Sequence, residues 1–394
     1  MSDTVEPQVQ QDVSTAIHRA FEANTAIYPT GGGTSLGFGL PARREGLGLS
    51  TASLNRVVDY PARDMTITVE AGITMKSLAE TLAKENQLLP VDVPMADRAT
   101  LGGVIATNWN GPRRFGYGNI RDYVIGIHAV DGHGRAFKGG GQVVKNVAGY
   151  DFCKLLTGSL GTIGVITQVT LKVKPIPEAF ALATSSISNL EVAEHVLSRL
   201  VHSDTTPSAI ELLAGPNWSS PLQLVVRLDG TRSEVEWMEE RLAEELLHDT
   251  SLQTEMLRGE EAVPLWKQLV EFTSQESPLT IRANVVASGT TKIVEAAQSI
   301  DPNCSIQAHA GNGVVFVSFS EFPGEGLSRT ILGQLQPLAT SLHGSVIVVS
   351  NPSHSEMTHQ CVWGGNHVAF SVASKIKHQF DPKDILNPGR FVYS

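Results

Sequence analysis

The sequence predicts an α+β protein, on three observations. Residues 180–350 run twice through the order strand, helix, strand, strand, helix, strand. Residues 102–175 are dense in glycine and short β-branched runs, with no amphipathic helix long enough to build a bundle. The length, 394 residues, accommodates two or three domains with sizeable cores.

The elements follow in order. Residues 13–24 read as a short helix, and AIYPTGGGTSLG as a strand running into a glycine-rich turn at 31–33. Leu47–Ser50 and Met65–Glu70 read as strands by β-branched content and alternation. Thr74–Asn86 is an amphipathic helix, because Met75, Leu78 and Leu82 recur at helical spacing. Strands at Val124–Val130 and Gly161–Val173 lie between turns such as Asp131-Gly132, and Pro175 and Pro177 form a rigid connector.

Glycine then thins out. Strands are predicted at Phe180–Ser185, Ala209–Leu213, Leu222–Leu228 and Ser251–Leu257. Helices are predicted at Leu190–Val201 and Glu234–His248, the latter with a capping box of Ser233 and Glu236. The second pass places strands at Thr280–Ala287, Ser305–Ala308, Gly313–Ser318 and Ser345–Val349. Its helices are Lys292–Ile300 and Leu327–Leu342, the latter broken near Pro337. This order is the split βαβ arrangement of ferredoxin-like domains. A pair of them can form one broad antiparallel sheet with a face free to cover a ligand. Val368–Phe380 is a last helix, followed by the fixed turn DPKDILNPGRF.

Composition excludes several function classes. The net charge is −10 with no Lys/Arg block, which argues against nucleic acid and an electrostatic membrane anchor. MSDTVEPQVQQDV lacks the basic and apolar regions of a secretory signal, and no run reaches the length of a bilayer span. Cys153, Cys304 and Cys361 form no CxxC pair, which fits a reducing cytoplasm and excludes an iron–sulfur cluster held by this chain alone.

Motif by motif, GxGxxG is absent; Gly37-Phe38-Gly39-Leu40-Pro41-Ala42 comes nearest and no helix follows it, so a nicotinamide site is not expected. GxxxxGK[ST] and HExxH are also absent. His354, His359 and Cys361 read as a solvated Ser/His-rich loop rather than a metal cluster, and no metal is expected. PTGGGTSL offers consecutive N–H groups after a strand, a nest suited to a pyrophosphate or simply a tight turn. GPRR sets two guanidinium groups in the densest glycine region, where they bond a phosphate or flavin carbonyl, or cap the surface. On TIRANVV, Arg282 and Asn284 share the face opposite Ile281, Ala283 and Val285. Arg282 either clamps a carboxylate or faces solvent. His309 is either a base or a structural histidine.

PTGGGTSL, ATLGGVIATNWNGPRRFGYGNIRD, VVKNVAGYDF, GSLGTIGVITQVTLKVKP and FDPKDILNPGRF occur here in one order. That order resembles the PCMH-type FAD-binding domain of vanillyl-alcohol oxidase-type flavoproteins, most of all the FAD-binding E subunit of bacterial glycolate oxidase (glycolate dehydrogenase). The resemblance covers residues 27–178 and 375–392. It implies a PCMH-type FAD-binding domain of two subdomains at 1–178, a cap or substrate domain at 179–350, and a segment at 351–394 returning to the FAD domain.

The resemblance also implies cofactor contacts. Pro29, Gly31, Gly32, Gly33, Thr34 and Ser35 would wrap the pyrophosphate. Leu101, Gly102, Gly103, Thr107, Asn108 and Gly111 would line the path to the flavin. Arg114, Gly116, Asn119 and Asp122 fall in a second flavin-contacting turn. Gly161, Thr162, Gly164, Val165 and Ile166 match the adenine and ribose side, and Asn387, Pro388 and Gly389 the C-terminal return. Thr34 stands where relatives with an 8α-linked flavin carry His, so noncovalent FAD is expected.

Relatives acting on 2-hydroxy acids carry GHxGDGNxH and EHGIG motifs that supply metal ligands and a catalytic histidine. Here the first reads AHAGNGVVF. His309 and Asn312 survive in outline, and Val315 is read at the place of the second His. SLHGS, with His343, is the only echo of the other motif, so the metal site is expected to be lost. Arg282 and His309 remain the catalytic candidates. The implied function is the FAD-binding subunit of a glycolate oxidase-like complex. It would oxidise glycolate or another 2-hydroxy acid beside a sister FAD subunit and pass electrons to an iron–sulfur subunit. It would be cytoplasmic, meeting the inner membrane only through partners. The alternatives are a non-catalytic FAD-binding scaffold and a standalone flavin-dependent alcohol oxidoreductase.

Overall fold

The alternation between residues 179 and 350 resolves, in a computed structural model, into one eight-stranded antiparallel sheet. The structure describes residues 3–141, 150–247, 252–364 and 367–391. Strand order across the sheet is Thr254–Arg258, Ala179–Ser186, Leu222–Gly230, Ala209–Ala214, Ser305–His309, Val314–Phe319, Leu279–Asn284, Ser345–Ser350. Each half is a split βαβ unit, and the halves join where Ala209–Ala214 pairs antiparallel with Ser305–His309. The duplicated element order therefore produces the broad sheet it predicts.

Register separates the two faces. Ile210, Leu212, Leu224, Val226, Ile281, Ala283, Val315 and Val317 alternate onto one face, and all are buried. The apolar stripes of helices Leu190–Leu200, Arg232–Leu247 and Thr290–Ile300 are buried as well. Matching the two removes apolar surface from water, about 1.5–3 kcal/mol for each fully buried large side chain. The opposite face carries Glu211, Gln223, Arg227, Gln307, His309, Phe316, Arg282 and Asn284. Burying that many polar groups requires partners for each of them.

Helix details refine the sequence reading. Asn189 caps its helix by accepting from the Val192 amide at 2.9 Å. The capping box at the next helix is Thr231 with Glu234, not Ser233 with Glu236: the Thr231 amide donates to Glu234 Oε2 at 2.8 Å. The helix begins at Arg232, so the cap shifts two residues upstream. His248 and Ser251 lie outside the described residues. Beyond Ser328–Leu335, a π-helical stretch, an α-helix resumes at Gln336–Ser341 with Pro337 in its first turn, which accounts for the break. Helix Val263–Glu271, between the repeats, is an addition to the predicted order.

The chain divides into two compact units: Met1–Asn110 with Asn119–Ile176 and Gly365–Ser394, and Gly111–Gly118 with Pro177–Gly364. The first holds an antiparallel sheet ordered Val57–Asp59, Thr66–Glu70, Val165–Lys172, Val124–Val130, Ala136–Gly140, and a parallel sheet of Thr4–Val5, Gly46–Ser50 and Ala26–Thr30. Residues 101–123, read as turns, instead form helices Leu101–Thr107, Arg114–Tyr117 and Ile120–Tyr123. Gly102 and Gly103 lower helix propensity and hide the first of these. Thr100 starts it by accepting from the Gly103 amide, and Asn108 ends it at φ 51°. Most of VVKNVAGYDF lies outside the described residues.

The C-terminal return is part of the first unit's core. Ile385 and Leu386 are fully buried against Val13, Ile17, Ile27, Leu49 and Leu54. The Ile27 amide donates to Ile385 O at 2.7 Å, and the Asn387 amide returns a bond to Ile27 O at 2.9 Å.

Candidate functional site

The first unit carries a groove at the end of strand Ala26–Thr30. The chain turns sharply there because Gly32 lies against the Arg98 carbonyl, where a Cβ would sit 1.7 Å from the oxygen, and because Gly33 has φ +70°. Among the described residues, the amides of Gly32, Gly33, Thr34 and Ser35 donate to no protein acceptor. Consecutive undonated N–H groups in a turn form an anion-binding nest.

Of the residues expected to hold the cofactor, Pro29, Gly31, Gly32, Gly33, Thr34, Ser35, Gly102, Gly103, Thr107, Gly161, Gly164, Val165, Ile166 and Asn387 line this groove. Asn387 is fixed by Nδ2 donating to Leu160 O at 2.7 Å. The remaining candidates are not among its walls. Leu101 is fully buried, and Thr162 donates to Ser159 O. Asn108 is the helix cap, and Asn119 and Asp122 form a capping box. Pro388 and Gly389 sit in the turn after Asn387, with Gly389 at φ +82°. Gly111, Arg114 and Gly116 belong to the second unit.

Arg390, which no spacing rule in NPGRF singles out, also lines the groove. Its guanidinium donates to Leu36 O at 2.8 Å and Leu40 O at 3.0 Å, tying the loop after the nest to the C-terminal return. Burial pushes its pKa below the usual arginine range.

The second unit concentrates its polar groups on the sheet face away from the apolar one. Glu211 and His309 are direct cross-strand partners. His309 Nδ1 lies 2.8 Å from both Glu211 carboxylate oxygens, and Gln307 Nε2 donates to Oε2 at 2.9 Å. Arg282 lies two residues along from Asn284, the residue of its strand that shares the His309 row. Its Nε is buried, which removes the solvent-facing reading. Burial, with the Arg114 guanidinium close by, pushes its pKa down to about 10. Arg227 closes another part of this face, its guanidinium 4.2 Å from the Phe180 and Trp266 ring centroids and paired to Asp229 at 2.8 Å.

The place of the second motif histidine is Phe316 rather than Val315. Counting through AHAGNGVVF puts Phe316 there, and pleating agrees: Val315 points to the apolar face, whereas the Phe316 ring stands edge-on to His309 with centroids 5.5 Å apart. A phenyl ring offers a metal nothing to bind. Among the described residues, no group of three His, Cys, Asp or Glu converges as a metal-binding set.

Residues 2–140 match the family described as FAD binding domain, and residues 364–391 match FAD linked oxidases, C-terminal domain. The chain is an FAD-binding protein. The groove fits FAD in kind: a nest of free amides and the Arg390 cation suit a pyrophosphate.

Among curated relatives, glycolate oxidase subunit GlcD of Bacillus subtilis is 30% identical over 212 residues, covering 54% of this chain and 45% of that protein. Glycolate oxidase subunit GlcE of Escherichia coli is 32% identical over 181 residues, 46% of this chain and 51% of that protein. D-lactate dehydrogenase of Archaeoglobus fulgidus is 26% identical over 426 residues, covering 98% of this chain and 90% of its own. The FAD-binding chain thus spans about half of the length of the glycolate oxidase subunits it matches. Among solved structures, alkyldihydroxyacetonephosphate synthase superposes with TM-score 0.71 at 17% identity, over 98% of this chain and 76% of the synthase. The fold is the PCMH-type FAD-binding fold.

Proposed function

We propose that this chain is an FAD-dependent oxidoreductase acting on the CH–OH group of a small 2-hydroxy acid, glycolate or a close analogue. The observation that carries the reading is the sheet face that holds Arg282 beside Arg114 and His309 beside Glu211. Two guanidinium groups suit a substrate carboxylate, which Arg can bind bidentately. His309 takes the hydroxyl proton as general base. FAD, when bound, accepts the hydride from the substrate carbon. The names of the relatives support the substrate class: glycolate, D-lactate and D-2-hydroxyglutarate are all 2-hydroxy acids.

The FAD is held without a covalent bond, since Thr34 stands at the place of the linking histidine, and acid precipitation should release it to the supernatant. The chain works as an FAD-binding subunit of the GlcE kind, beside a sister flavoprotein and an iron–sulfur subunit that receives the electrons. It works in the cytoplasm and meets the inner membrane through those partners; among the described residues no helix is long and apolar enough to cross a membrane. A second reading, a non-catalytic FAD scaffold, is favoured by Phe316 at the place of the motif histidine.

The test is an anaerobic visible spectrum of the FAD-loaded chain before and after glycolate and D-lactate, repeated with co-expressed partner subunits. Bleaching of the flavin band by the isolated chain, and its loss in Arg282→Met, are expected. Bound FAD that no 2-hydroxy acid bleaches in either preparation would replace this reading by the scaffold.

A further inference from the structure

The Glu211–His309 pair carries an inference that rests on His309 as the base. Glu211 lies in no motif and is 98 residues from His309 in sequence, yet the two face each other where the halves of the sheet join. Glu211 is 0% exposed and His309 4%. A carboxylate buried this deeply needs donors for its oxygens. It has Gln307 Nε2 at 2.9 Å and His309 Nδ1 at 2.8 Å.

An ionised carboxylate only accepts, so the shared proton resides on Nδ1. We propose that Glu211 is the positioning residue of this site: it locks His309 as the Nδ1–H tautomer and leaves Nε2 as the nitrogen that accepts a proton. Phe316, edge-on to the ring, opposes a flip that would exchange the two nitrogens. On the packed elements, Glu211 is the charged group of the neighbouring strand, and the Val314–Phe319 strand presents Val314 and Phe316. The helix packed on the Ala310–Asn312 turn brings Arg114.

The test reads the tautomer directly, by long-range proton–nitrogen correlation on the FAD-loaded chain labelled with ¹⁵N-histidine, the His309 signals being assigned by their loss in His309→Gln. The expected result is a protonated Nδ1 and an unprotonated Nε2 in the wild type at pH 8. A His309 with the proton on Nε2, or averaging between both nitrogens, overturns the proposal whatever the variants do. Glu211→Gln, close in volume, is expected to shift the Nδ1 signals and to slow flavin reduction roughly 10–100-fold with little change in KM. An equal rate in Glu211→Gln also overturns it, provided that FAD content and far-ultraviolet circular dichroism match the wild type. If instead the tautomer is as expected and His309→Gln reduces its flavin at the wild-type rate, the base reading fails while the locked tautomer stands.

Discussion

Lys377 is the cation whose removal should damage the first unit most. Its ammonium is nearly buried and donates to Thr162 O at 2.8 Å, Leu386 O at 2.9 Å and Asp381 Oδ2 at 2.5 Å. The Asp381 side chain is 0% exposed. Its carboxylate also accepts the Ile385 amide at 3.0 Å and the Leu386 amide at 2.7 Å, so one ion pair anchors the segment that carries Asn387 into the FAD groove. Lys377→Met leaves a buried carboxylate without its cation and two carbonyls without a donor. Breaking such a pair costs about 3–5 kcal/mol. The two surviving amide bonds place this case at the lower end, about 3 kcal/mol, a large share of the 5–15 kcal/mol that typically holds a domain folded. At 1.4 kcal/mol per tenfold, native-state hydrogen exchange at the Leu386 and Asn387 amides should speed up roughly 150-fold. Lys377→Met/Asp381→Asn, which removes the stranded charge, should recover at least about 1 kcal/mol of the loss. A loss below about 1 kcal/mol in urea unfolding at pH 7, with unchanged exchange at those amides, would refute the argument that this pair holds the return segment.

Two further predictions concern the first unit. Gly32→Ala drives a methyl group into the Arg98 carbonyl, so the nest must open; FAD content after purification should fall at least tenfold while far-ultraviolet circular dichroism is retained, and full FAD retention would remove the nest from the site. Burial draws the Glu70 pKa upward, but hydrogen bonds and charge from Arg56, 2.7 Å away, outweigh it and hold the pKa below the usual 4.5. A depressed folded-state pKa contributes stability that is present above 4.5 and lost as the pH falls through the lower, folded value. Because Arg56 is 64% exposed, Arg56→Ala should lower the urea midpoint slightly at pH 7, and the difference from the wild type should shrink as the pH falls below the folded-state value of Glu70. A difference that grows toward acid would reverse the assigned sign.

The strands and helices of the second unit were legible because each carries an apolar face: Ile210 and Leu212 flank Glu211, Leu224 and Val226 lie between Gln223 and Arg227, and the 3.6-residue stripe of Leu190–Leu200 writes the contact surface into the order of residues. Leu101–Thr107 was not legible, since its glycines argue against a helix and only the Thr100 cap and the packing of Leu101 and Ile105 favour one. Counting along a motif misplaced one residue, Val315 for Phe316, and strand pleating settles which of the two faces His309.

The glycine-rich turn after Ala26–Thr30, the duplicated split βαβ order and the FAD-binding resemblance are properties of near neighbours in the chain and so are written in the order of residues. Tertiary structure alone decided that His309 meets Glu211, that Arg282 meets Arg114, and that Arg390 enters the groove beside the nest. These partners are set by strand register and by the C-terminal return. Register is a collective outcome of every pairing in the sheet, and a single slip of one residue would have turned Glu211 to the apolar face.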